Sequence, residues 1–139
     1  MKIINKIILL LSISVILQAL SEKLELIVNI TNISNDEGQV IVKLYNSEDT
    51  FLKTPFEIKT AKIVNGKATV VFQNITDGIY SFSVIHDENG NNKIDFNFLG
   101  IPSEDVAASN NAAGFLGPPN YEDAKFEVKS ESVIQNIIM

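Results

Sequence analysis

Asp87, Asn89, Asn91, Lys93 and Asp95 occupy every second position of "HDENGNNKIDFNF", the stretch from His86 to Phe98. Oxygen-bearing side chains at that spacing suit a hard cation. A calcium loop takes ligands at positions 1, 3, 5, 7 (through the main-chain carbonyl) and 9, with a bidentate Glu at 12. Counted from Asp87, the carbonyl of Lys93 falls at position 7, the apolar anchor Ile94 at 8 and Asp95 at 9. Two positions depart from this pattern. Position 6 is Asn92 instead of the usual Gly; Asn is the next most tolerant of left-handed backbone. Position 12 is Phe98, so the bidentate acid must come from elsewhere, with Glu104, Asp105, Glu122 and Asp123 as candidates. Two certain carboxylates imply weak affinity, in the ~10⁻⁴–10⁻³ M range of extracellular modules.

The competing reading of the same residues is a plain polar turn, because Asp and Asn hydrogen-bond to their own backbone and favour turns. His86 is the only histidine. It shares a strand face with Tyr80, Phe82 and Val84, which suits a hydrogen-bonded histidine at the edge of a core better than a base or a metal ligand. One His and no Cys do not make a zinc site. There is no G-x-S-x-G and no second His for a triad. Glu122 and Asp123 are adjacent and give no paired-carboxylate site. The expected role is therefore binding or structural, not enzymatic. The enzymatic alternative is a small hydrolytic site of His86 with Asp87 or Asp95, which requires His86 to be exposed beside a pocket.

The elements that must position this stretch alternate like half-buried strands. Leu24, Leu26, Val28 and Ile30 fall on one face. Val40, Val42 and Leu44 repeat the pattern, with Lys43 opposite. In "AKIVNGKATVVF", Asn65-Gly66 is a type I′ hairpin signal between two β-prone runs. "TDGIYSFSVIH" and, near the end, Phe126–Val128 and Val133–Ile138 complete about seven strands, without a long amphipathic helix. An all-β, immunoglobulin-like or prealbumin-like β-sandwich follows, with a small β-barrel as the alternative. Residues 48–56 suit a loop or a single helical turn. From Asp87 to Glu122 runs a loop of roughly 36 residues, long enough to need a function or tethering. Its Phe96, Phe98, Leu99, Ile101, Phe115, Leu116 and Tyr121 point to an ordered loop over one end of the sandwich.

The 139 residues suffice for one domain, expected over 22–139. Residues 1–21 carry Lys2 and Lys6, an apolar run of roughly 11 residues and then Ala19 and Ser21, the pattern of a secretory signal peptide; the run falls short of the ~20 residues of a membrane span. Cleavage after Ser21 would leave nine of the 11 lysines against all 17 acids, a charge of −8. The chain is thus expected to be exported, to the periplasm, cell surface or medium, with no retained span. An acidic chain without arginine does not suit nucleic acid. With no cysteine, neither disulfides nor a lipid-bearing cysteine contribute.

"GIYSFSVIHDENGNNKIDFNFLGIPSED" and "SNNAAGFLGPPNYEDAKFEV" together resemble the bacterial family called domain of unknown function 2141. The resemblance covers most of the chain after residue 21 and is densest from Gly78 to Val128. The family pattern falls on His86, Asp87, Asn89, Asn91, Asp95, Asn97, Gly100, Pro102, Ser109, Asn110, Asn111, Gly117, Pro118, Pro119 and Ala124. The chain departs at Asn92, where relatives usually carry Gly, and at Ala113, where a basic residue is common. The resemblance implies an exported all-β protein in which the long loop belongs to the fold; it carries no activity. The expectation is a binding or structural module whose partner is a cell-envelope protein or polymer, with calcium as the candidate cofactor. An accessory domain of a cell-envelope transport or adhesion system is the alternative.

Overall fold

The computed structural model describes residues 23–139; the signal peptide expected over 1–21 lies outside the described residues. Among the described residues, eight strands form two sheets. β1 (Leu24–Thr31) stands between β4 (Ala68–Ile75), antiparallel, and β8 (Val133–Ile138), parallel. In the second sheet, β2 (Gln39–Tyr45) stands between β3 (Glu57–Ala61) and β5 (Gly78–Asp87). The far edge of β5 is shared by two short strands: β7 (Phe126–Val128) pairs with Gly78–Tyr80, and β6 (Val106–Ala108) with Ser83–Ile85. Among the described residues the sheets do not close into a barrel.

Alternation along each strand sets the layers, since successive side chains point to opposite faces. Leu26, Val28 and Ile30 of β1, Val40, Val42 and Leu44 of β2, Phe72 of β4 and Phe82 and Val84 of β5 meet in the buried core between the sheets. A smaller cluster of Tyr45, Phe51, Ala108 and Ala124 lies apart from it. There Phe51 packs edge-on against Tyr45 and Tyr121, with ring centroids 5.6 Å apart in each pair.

Three expectations change. The Asn65-Gly66 turn has the two positive φ values of type I′, 51° and 70°, and closes the Val64–Lys67 bridge. However, this hairpin is a single bridge long: β3 ends at Ala61 and belongs to the second sheet while β4 belongs to the first, so beyond the bridge the turn links the sheets. The eighth strand is β6, three residues inside the long loop, too short to show a period in sequence. The loop also holds a 3₁₀ turn (Ser109–Asn111) and leads into a one-turn helix α1 (Tyr121–Ala124). Finally, the loop reaches beyond one end: its first turn sits at the end of β5 beside Gln39, while later residues line a cleft on the outer face of the second sheet together with Lys43, Ser83 and Ile85. Residues 48–56 form turns, as expected.

Candidate functional site: the Asp87–Asp95 turn

β5 delivers Asp87, fully buried, to the start of the turn. Its Oδ1 accepts from Asn91 N–H (3.1 Å), and its Oδ2 from Asn92 N–H (3.0 Å) and from the Gln39 amide (2.9 Å). Burial alone would push this carboxyl up. The bonds from Gln39 and from the N–H groups of Asn92, Asn91 and Gly90 outweigh it and hold the carboxyl below its ordinary value. Asn89 Oδ1 then accepts from Asn91 N–H (3.0 Å), and Asn91 Oδ1 from Lys93 N–H (2.9 Å). Each oxygen thus curls the chain two residues onward, and the alternate side chains converge. Asn89 and Asn91 donate to Asp95 at 2.6 Å and at 2.9–3.0 Å.

Asn92 takes φ 63°, the left-handed conformation that position 6 of the calcium pattern requires. Its side chain is clamped by the Gln39 amide (2.8 Å). Of the four candidate acids, only Glu104 reaches the turn. It is nearly buried and accepts from Glu88 N–H and Asp95 N–H, both at 3.2 Å. Glu122 pairs with Lys125 (2.6 Å), the Asp105 carbonyl accepts from His86 N–H (2.9 Å), and the Asp123 carbonyl accepts from Asn110 (3.1 Å). Gly38 supports the turn from below: at φ 67°, a Cβ there would stand 1.9 Å from the Asp87 carbonyl oxygen.

Among the described residues, no three His, Cys, Asp or Glu side chains form a metal-holding group. A hard cation in this turn must therefore draw on neutral oxygens as well. The oxygens on hand are the Asp87 and Asp95 carboxylates and the amide oxygens of Asn89 and Asn91, with Glu104 alongside; a cation would have to exchange N–H partners for itself at several of them and add the Lys93 carbonyl. The Asn89 and Asn91 amides would have to turn oxygen, not nitrogen, toward the ion.

His86 is fully buried. Its Nε2 lies 2.9 Å from the Glu37 carbonyl and, since a carbonyl only accepts, carries the proton of that bond. Ser34 Oγ and Glu88 Oε1 stand 3.5 and 3.7 Å from Nδ1. The exposure beside a pocket that a hydrolytic site needs is not met. The "SNN" stretch, without evident chemistry in sequence, is a clasp. Ser109 Oγ accepts from Phe82 N–H (3.0 Å) and donates to the Ala124 carbonyl (2.6 Å), bridging the gap between β6 and β7. Asn110 exchanges two 3.0 Å bonds with Gln135. The Asn111 amide accepts from Ile138 N–H and donates to the Asn136 carbonyl, both at 2.9 Å, in place of a further strand beside β8. Gln39 and Gln135 meet partners distant in sequence, and Lys43, Tyr45 and Ser83 come together only when β2 pairs with β5, so no local spacing marks them as a set. Only the polar face opposite Val42 and Leu44 hinted at them.

A model of the DUF2141 family, described as uncharacterized proteins conserved in bacteria, matches residues 28–136. The chain belongs to the DUF2141 family. The match spans both sheets, the turn and the clasp, so the long loop lies inside the family's common region. No curated protein and no solved structure matches the chain.

Proposed function

We propose that this DUF2141 member is an exported binding module in which the Asp87–Asp95 turn takes up calcium and so fixes the 87–122 loop against the second sheet. The observation that carries this reading is the convergence of Asn89 and Asn91 on Asp95 around a left-handed Asn92, with Glu104 braced against the same backbone. Calcium would supply positive charge to a turn that gathers carboxylates and amide oxygens and, among the described residues, receives no lysine ion pair within 87–95. Export rests on the leader pattern in residues 1–21. We also propose that the sandwich is prealbumin-like. In immunoglobulin constant domains the first strand pairs with the second; here it pairs with the fourth and the last.

The test is thermal unfolding in EDTA, then in millimolar calcium, with magnesium as control. At ten times the dissociation constant, bound calcium adds about 1.4 kcal/mol, a rise of several degrees for a domain this size. The rise should vanish in Asp95→Ala, whose side chain carries no core contact. Equal midpoints in EDTA and calcium would reduce the turn to a hydrogen-bonded loop.

A further inference from the structure

Across the outer face of the second sheet runs a cleft of about 820 Å³, within the range of small-molecule sites. Its floor is Lys43 and Tyr45 of β2 with Ser83 and Ile85 of β5. Its walls are two arms of the long loop, one through Phe96 and Ile101, the other through Ala112 and Pro119. The arms share a pattern: "FLGIPSED" from Phe98 and "FLGPPNYED" from Phe115 both run Phe-Leu-Gly-x-Pro and close on Glu-Asp. The walls are apolar, and the floor carries three polar groups. Tyr45 Oη and Ser83 Oγ are hydrogen-bonded at 3.2 Å. Burial raises the phenol above its ordinary value, beyond what the Ser83 bond lowers it, so Tyr45 remains a donor.

Lys43 is half-buried, and its cross-strand neighbours are Ser83 and Ile58, neither of them an acid. Among the described residues the ion pairs of lysines with carboxylates are those of Lys59 and Lys125, so Lys43 has no carboxylate partner there. A half-buried cation beside two hydroxyls, on the floor of an apolar cleft, calls for a single negative charge on an apolar body. One lysine without arginine suits a monoanion better than a phosphate, for which bidentate partners are favoured. The net charge of −6 further disfavours polyanions.

We propose that the cleft binds a long-chain carboxylic acid, its carboxylate on the Lys43 ammonium with Tyr45 or Ser83 donating, and its alkyl chain between the two loop arms. This rests on the chain being a binding module; the polar floor stands on the paired strands β2 and β5, outside the loop that calcium would fix.

The test is displacement of a fluorescent polyene fatty acid from the purified protein by palmitate and by methyl palmitate. It is run in EDTA and again in calcium below the soap limit, with phosphatidylcholine vesicles as a separate arm. Palmitate should compete at least about tenfold better than its ester, the scale of one lost charged hydrogen bond. K43M should erase that difference and K43R should retain it. Equal competition by acid and ester in the wild-type protein overturns the proposal whatever the variants do. So does vesicle binding without binding of the free acid, which would make the arms a lipid-surface contact. Acid binding without any calcium-dependent midpoint shift would leave the cleft standing and remove only the calcium reading. A calcium shift without acid binding would do the reverse.

Discussion

Asp87 shows how one carboxylate can be structural and still sit in a candidate ion site. Four hydrogen-bond donors hold its carboxyl below the ordinary value despite burial. A carboxyl whose folded value lies below its unfolded one, about 3.9, stabilises the fold fully above that unfolded value, and the contribution is lost as pH falls through the folded value. Asp87→Asn should therefore lie below wild type by a constant margin from about pH 6 to 8, with the gap closing below about pH 4. Urea midpoints across that range check it, and parallel curves would show that the carboxylate charge does not matter. At this scale the sequence was informative about conformation. Among the described residues, six of the nine non-glycine residues at positive φ are asparagines, Asn92 among them, as expected of the side chain best able to satisfy left-handed backbone locally. Which acid reaches the turn was not legible, because Glu104 meets Glu88 and Asp95 only after the loop has folded back.

Among the elements, the strands were readable because period-2 alternation is a local signal. Leu26–Ile30, Val40–Leu44 and Tyr80–Val84 face the core as their patterns require. The path of the loop was not readable, because what fixes it is long-range: Asn110 to Gln135, Asn111 to Ile138, Ser109 to Phe82. No spacing within "SNNAAG" reveals a partner 25 residues away. Ser109 is the test of this clasp. Its hydroxyl serves Phe82 N–H and the Ala124 carbonyl inside the protein, and Ser109→Ala leaves both without a partner. Each buried unsatisfied group costs about 1–3 kcal/mol, so the variant should lose about 2–3 kcal/mol by urea unfolding. The slope against urea should stay unchanged if only the native state is affected. A loss below about 0.5 kcal/mol would place Ser109 among ordinary surface positions and the loop's attachment elsewhere.

On the scale of the whole molecule, the most exposed large apolar side chains among the described residues stand on two loop tips, well away from the buried core. Phe98, Phe115 and Leu116 are 96%, 94% and 93% exposed, while a net charge of −6 keeps the surface acidic. Side chains this exposed contribute almost nothing to folding, since surface substitutions away from special features stay within about 0.5 kcal/mol. Their burial must lie in whatever the arms contact, which is the expectation for an exposed apolar patch. The double variant Phe98→Ser, Phe115→Ser should therefore keep the wild-type melting midpoint to within a degree or two. At the same time it should lose retention on a phenyl matrix and enhancement of a hydrophobic dye. A midpoint that drops several degrees, and does so more at high than at low protein concentration, would mean the tips are already buried against a second copy in solution. In that case the arms are an assembly interface, and the acidic surface between them must be neutralised for two copies to meet, so the association should strengthen with salt.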